Sequence, residues 1–145
     1  MDKNMDVFRR ELVTNVGFFE ISEIYHHEFV ISERLDKFVT YLKSLAPQII
    51  IPSIIVCNKT NALIDGHHRC HALLELGFKR CPVSFVNYDS EHIIPHLDQS
   101  ITKNQIIEAA LGNNLLPPKS SMHHLIDFKG RCRPIVLLSY LSDME

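Results

Sequence analysis

The chain has no pair of cysteines at Cys-x-x-Cys spacing, and its four, Cys57, Cys70, Cys81 and Cys132, are scattered. That spacing excludes a zinc knuckle and a small disulfide scaffold, and the thiols are expected to be reduced, as in a cytoplasmic protein. No stretch reaches the 18 or so apolar residues of a membrane span, and the polar start Met1-Asp2-Lys3-Asn4-Met5-Asp6 lacks the apolar run of a signal peptide. No membrane partner is expected. Basic excess is missing too: the formal net charge is −2, which gives no positive field for sequence-independent binding of duplex nucleic acid. No Pro, Gly or Ser tract, internal repeat or low-complexity segment divides the 145 residues. With 46% hydrophobic residues the whole chain, 1–145, is long enough to bury one core, and a single domain is expected.

What is present is concentrated in Leu63-Ile64-Asp65-Gly66-His67-His68-Arg69-Cys70-His71-Ala72-Leu73. Asn61 to Ile64 reads as the end of a strand entered from the polar turn Asn58 to Asn61. Arg69 to Leu76 reads as a helix stopped by Gly77. Gly66 lies at the junction, where a missing Cβ lets backbone approach a ligand. The first helical N–H groups after it have no intrahelical partner, and the helix dipole adds positive potential there. With His67, His68 and Arg69 alongside, phosphate is the anion this turn suits best. Asp65 ends the strand, where open α/β sheets hold ligands.

Along the chain, residues 2 to 12 are expected to form a short helix and Val16 to Ile24 a strand. Ser32 is expected as the N-cap of a helix carrying Leu35, Phe38, Val39 and Leu42 on one face and ending near Leu45, before Ala46-Pro47. The apolar run Ile49 to Val56 is broken by Pro52 and suits an edge strand or a bulge. Cys81 to Tyr88 reads as a strand. Thr102 and Gln105 have capping-box spacing ahead of a helix through Ile106, Ile107, Ala110 and Leu111, stopped at Gly112. Pro134 to Leu141 fits a closing strand or a short buried helix. The alternation indicates a mixed α/β domain, a small sheet with flanking helices.

Two further clusters could serve chemistry. Pro117-Pro118-Lys119-Ser120-Ser121 presents an ammonium and two hydroxyls behind two rigid residues, a phosphate grip if it lies near Gly66 and an ordinary surface loop otherwise. Glu28, between His27 and Phe29, is either a partly buried carboxylate whose pKa burial raises, and so a base, or a solvated turn residue. His67 and His71, four apart, have the spacing of a zinc pair but lack the glutamate of a His-Glu-x-x-His site. His26, His92, His96 and His124 have weaker claims. A Mg²⁺ ion arriving with phosphates needs only one or two carboxylates, and Asp65 could provide one.

Asp65-Gly66-His67-His68-Arg69, followed by Ala72-Leu73 and Leu76-Gly77, resembles the Asp-Gly-His-His-Arg signature of the ParB/sulfiredoxin-like superfamily. The likeness is to its free serine kinases and their siderophore-pathway relatives. His27-Glu28, Pro82-Val83 and Pro117-Pro118-Lys119-Ser120-Ser121-Met122-His123 support that branch, and together these features span residues 16 to about 125. The resemblance implies phosphoryl transfer from ADP or ATP with Mg²⁺ to the hydroxyl of a small metabolite, free L-serine first. It assigns the phosphates to Gly66, His67, His68, Arg69, Lys119, Ser120, Ser121 and His123, the base to Glu28, and assistance near hydroxyl and Mg²⁺ to Asp65. The chain departs from the family pattern at Met122, where an arginine is usual. The alternative is a ParB-like nucleotide-binding regulator or DNA-associated protein without kinase activity, against which stand the acidic balance and the lack of a basic helix-turn-helix after the core. A sulfiredoxin-like reductase would need a cysteine in the glycine turn, where this chain has His67.

Overall fold

The computed structural model describes residues 3–144. In chain order the elements are α1 (Lys3–Leu12), β1 (Val13–Glu20), α2 (Ser32–Leu45), β2 (Ile49–Pro52), β3 (Ile54–Cys57), β4 (Leu63–Asp65), α3 (His67–Glu75), β5 (Arg80–Val86), β6 (Ile93–Ile94), α4 (Lys103–Leu111), β7 (His124–Ile126), β8 (Cys132–Pro134) and β9 (Leu141–Met144). The principal sheet has the order β1-β5-β3-β4, with β3 and β5 parallel and the other neighbours antiparallel. The fold is the mixed α/β arrangement expected.

Strand β3 explains the layering. All four of its residues are buried, because the sheet is covered on both faces, and this is why the segment reads as an unbroken apolar run. Successive side chains alternate between two cores. Ile54 and Val56 pack with Leu35, Val39, Leu42 and Leu73 from α2 and α3. Ile55 and Cys57 pack on the opposite face with Phe8, Leu12 and Ala110 from α1 and α4. The run Ile49 to Val56 is interrupted at Pro52-Ser53: β2, which carries Pro52, pairs with β9 in a two-stranded sheet, whereas the part after the break, β3, is central and not at an edge as expected. Ser53 makes the division possible. Its N–H donates to the Tyr140 carbonyl (2.8 Å), its hydroxyl accepts from Tyr140 N–H (3.0 Å) and meets Ser84 Oγ (2.6 Å), and its carbonyl accepts from Ser139 Oγ (2.8 Å).

Other boundaries move for local reasons. The first helix is present over its described part, Lys3–Leu12; Asp2 lies outside the described residues. The following strand begins at Val13, earlier than expected, and ends at Glu20, where a short 3₁₀ turn (Ile21–Glu23) takes over. Ser32 is the first residue of α2 and not its cap: Ile31 holds the cap position, and its N–H is bonded by the His68 side chain from α3. The Thr102–Gln105 capping box is present in both directions. Pro134 to Leu141 is neither a strand nor an α-helix throughout, since Ile135–Leu138 form a 3₁₀ turn before β9. Among the described residues no helix is long and apolar enough to cross a membrane.

Candidate active site

The hairpin β3–β4 brings Asp65 to the rim of the sheet, and α3 starts at His67, two residues before the expected start. Gly66 has φ +109°, a left-handed conformation that favours glycine. The Arg69 guanidinium lies directly over it: a Cβ on Gly66 would stand 2.9 Å from Nη2 and 3.1 Å from Ile54 Cδ1. Arg69 Nη2 donates to the Ser53 carbonyl (3.2 Å) and to Asp65 Oδ2 (3.4 Å). Its Nε is buried and has no hydrogen-bond partner among the described residues.

Residues 25 to 31 cross this turn as an extended segment. Tyr25 bridges to Ala62 beside β4, and Glu28 bridges to Leu116. Two histidines of α3 fix the crossing. The backbone N–H of His27 donates to His67 Nε2 (3.2 Å), and that of Ile31 donates to His68 Nε2 (3.0 Å). Each ring therefore accepts at Nε2, which in the neutral tautomer leaves the proton on Nδ1. Burial, reinforced by His27, His26, His71 and His123, pushes the His67 imidazole well below its ordinary value. Burial and then the charge of Arg34 lower His68. The positive potential at the Gly66 turn thus comes from Arg69 and the end of α3, while the imidazoles act as neutral braces.

The loop before β7 closes the other side. The Lys119 N–H donates to Glu28 Oε1 (2.7 Å), and the Ser121 hydroxyl donates to Glu28 Oε2 (2.9 Å). Lys119 holds φ +63°, which aims its N–H at the carboxylate. His27, completely buried, donates from Nδ1 to the Leu63 carbonyl (2.7 Å) and places Nε2 2.8 Å from Ser121 Oγ and 3.4 Å from Glu28 Oε2. His123 Nε2 meets the Tyr88 hydroxyl at 2.8 Å. Burial would raise the Glu28 carboxyl, as expected from sequence, but His27, the Lys119 N–H and Ser121 outweigh it and hold the carboxyl below its ordinary value. This corrects the expectation of a raised pKa.

These walls enclose a cavity of about 220 Å³ lined by Glu28, Ile64, Asp65, Gly66, His67, His68, Arg69, Ser121, Met122 and His123. The two sequence clusters, some fifty residues apart, face each other across it. Of the residues singled out from sequence, Lys119 and Ser120 are not part of the wall. Lys119 contributes its backbone N–H, and the Ser120 hydroxyl turns back to the Pro117 carbonyl (2.5 Å). Cys70 is fully buried, with Sγ 3.8 Å from His26 Nε2, and does not line the cavity. Sequence reasoning assigns no chemistry to His27 or Tyr88, although His27 stands beside Glu28 in a polar cluster. Among the described residues no three His, Cys, Asp or Glu side chains are grouped to hold a metal ion. Asp65 offers a hard carboxylate oxygen at the rim, about a third exposed, which fits an ion that arrives with phosphate ligands of its own. A second groove of about 470 Å³ adjoins the cavity, shares His68 and Arg69 with it, and adds Arg34, Lys37, Phe38 and Tyr41 from α2.

No family model matches the chain. It is similar to a ParB-like protein of Sulfolobus acidocaldarius, 28% identical over 122 residues that cover 81% of this chain and 51% of the relative. The chain thus spans about half the length of that relative. Among solved structures it resembles a conserved hypothetical protein from Pyrococcus furiosus, with TM-score 0.50, 24% identity, and 58% of this chain and 37% of the other covered. It also resembles a free serine kinase variant in complex with ADP, with TM-score 0.50, 21% identity, and 58% and 36% covered. The mixed α/β fold is ParB-like, in keeping with what the Asp-Gly-His-His-Arg resemblance implied.

Proposed function

We propose that the chain is a nucleotide-dependent phosphotransferase acting on the hydroxyl of a small metabolite, free L-serine first. The observation that supports it is the convergence of Glu28, the Gly66 turn and the Ser121–His123 segment on one cavity. Phosphoryl transfer asks chiefly for positioning and for neutralisation of charge, so a cradle of N–H groups, one guanidinium and one base is a sufficient set of parts. In this reading the N–H groups at the start of α3 and Arg69 take the phosphates, aided by His67, His68, Ser121 and His123. Lys119 and Ser120 approach from the rim. Glu28 removes the acceptor's proton. Asp65 orients the hydroxyl or would hold Mg²⁺ arriving with the nucleotide, an ion that offsets the charge of the transferring group. The cavity has room for phosphoryl groups and a small acceptor. The nucleoside extends into the adjoining groove, where Phe38 and Tyr41 offer apolar contact.

The test is incubation with ADP or ATP, Mg²⁺ and L-serine, following O-phosphoserine by mass spectrometry. No product with either donor overturns the assignment. Met122 provides a second handle, because it lines the cavity, is half exposed and stands where the related kinases usually carry arginine. Met122→Arg is expected to tighten nucleotide binding by about 1 kcal/mol, roughly five- to tenfold, through a charge-assisted contact to phosphate. The gain should shrink as salt rises. Calorimetric titration at two ionic strengths checks it, and unchanged affinity would place the phosphates elsewhere. The similarity to a ParB-like protein favours one other reading, a nucleotide-binding regulator. Tight nucleotide binding without any phosphorylated product, together with a shift of duplex DNA at moderate salt, would select that reading.

A further inference from the structure

We propose that the proton taken from the acceptor's hydroxyl does not stay on Glu28 but is passed through the Ser121 hydroxyl to Nε2 of the buried His27. This rests on the phosphotransferase reading and adds to it the place where the proton goes. The hydrogen-bond count leads to it. Leu63's carbonyl, 2.7 Å from Nδ1, can only accept, so Nδ1 of His27 carries a proton and Nε2 of the neutral ring carries none. Ser121 Oγ lies 2.8 Å from that Nε2 and 2.9 Å from Glu28 Oε2. With a neutral imidazole and an ionised carboxylate, one hydroxyl proton must serve two acceptors. One more proton completes the chain: Nε2–H donates to Oγ, and Oγ–H donates to Oε2. That loaded arrangement is the one the relay reaches after the acceptor's proton arrives.

The acceptor's O–H bond breaks as its oxygen attacks phosphorus, the P–O bond to the departing nucleotide breaks, and Glu28 Oε2 receives the proton. Glu28 then donates to Ser121 Oγ, whose own proton moves to Nε2, leaving a carboxylate and an imidazolium. The Lys119 N–H and the Ser121 hydroxyl both donate to the Glu28 carboxylate and favour its ionised form, so the proton does not stay there. The ionisable groups facing His27 are Glu28 from its own segment, His67 from α3 (ring centroids 4.4 Å apart) and His123 from the opposite loop (6.0 Å). His67 and His123 are pushed well below their ordinary values by burial. Neither competes for the proton, and Glu28 supplies the countercharge.

Two measurements on the full chain test this. In ¹⁵N-histidine NMR without substrate, neutral His27 should be protonated at Nδ1, and Ser121→Ala should shift its Nε2 resonance. Protonation at Nε2 would overturn the relay whether or not the kinase reading stands. With ATP, Mg²⁺ and serine, Ser121→Ala should lower kcat about 10- to 100-fold, more than it raises the KM for nucleotide, because Arg69 and the start of α3 still hold the phosphates, and Ser121→Thr should recover most of it. The proton inventory in H₂O–D₂O mixtures should be curved for the native chain and linear for Ser121→Ala. A native kcat retained in Ser121→Ala, or a linear inventory in both, removes the relay and leaves the phosphotransferase intact. No turnover in the native chain removes both.

Discussion

Glu28→Gln is expected to lower phosphoryl transfer by about 10²- to 10⁴-fold, the usual contribution of a positioned general base, while nucleotide affinity stays nearly unchanged. Glutamine is nearly isosteric, and its amide oxygen can still accept from the Lys119 N–H that now reaches Oε1 at 2.7 Å. Its amide NH₂ can donate to Ser121 Oγ, whose proton then serves His27 Nε2. The bonds to the Lys119 N–H and the Ser121 hydroxyl are kept, while the basic oxygen is lost together with the longer Ser121 N–H contact to Oε2 (3.4 Å). Single-turnover phosphorylation of serine, beside calorimetric titration of nucleotide, separates the two effects. A variant that turns over at the native rate would take the base role from Glu28. The same residue predicts a pH response. Its folded-state pKa is depressed, so its stabilisation is fully present above the ordinary carboxylate range and is lost as pH falls through the depressed value. The protection of the Lys119 amide, relative to its intrinsic exchange at each pH, should therefore fall only in acid below that range, and in Glu28→Gln this fall should be absent.

Some of the fold could be read from residue pattern because the pattern is local. α2 shows helical spacing from Leu35 to Leu42, and the Thr102–Gln105 box closes within one turn. Pro52 marks the break in Ile49 to Val56, but the fate of the two halves was not legible, because nothing in the run itself says that Ile50 will face solvent on a two-stranded ribbon while Ile54 and Ile55 enter opposite cores. That outcome depends on β9, some ninety residues later, which pairs with β2 and lets Ser53 turn the chain. Ser32 misled for a similar reason. It has the right chemistry for a cap, but the helix starts one residue earlier: Ile31 takes the cap position, where its carbonyl accepts from Leu35 N–H and its own N–H is held by His68 from α3.

The site was legible to the extent that its chemistry is dense in sequence. Asp65 to Arg69 announces itself, and the resemblance supplied Glu28 and the 117–123 segment. What sequence could not supply is the sign and direction of each group. His67 and His68 look cationic on paper, yet both spend Nε2 as acceptors of backbone N–H groups and lose charge through burial. Glu28 looks like a carboxylate that burial would raise, and burial is indeed the largest influence, but His27, the Lys119 N–H and Ser121 together exceed it. Such balances are set by contacts between residues about forty and ninety positions apart, and residue type alone does not carry them.

The other large effect is expected from Gly66→Ala, which should destabilise the fold by about 2 to 4 kcal/mol, a large share of a typical domain's stability. Two costs combine. At φ +109° any side chain is strained. The new methyl would also meet Arg69 Nη2 at 2.9 Å and Ile54 Cδ1 at 3.1 Å. Ile54 is fully buried in the central strand and has little room to withdraw, so the guanidinium must move. It then gives up the Ser53 carbonyl and Asp65, and nucleotide binding should fall with it. Gly77 supplies the control, since it has φ +93° but a methyl added there would meet nothing within 4 Å. Gly77→Ala should cost only the backbone strain, about 1 to 2 kcal/mol. Combining Gly66→Ala with Arg69→Ala should cost less than the sum of the two, because removing the guanidinium removes the clash, whereas Gly77→Ala with Arg69→Ala should add. Urea denaturation of the variants measures both cycles. If the Gly66 pair proved additive, the guanidinium would not rest on this glycine, and the geometry proposed for phosphate binding would lose its cation.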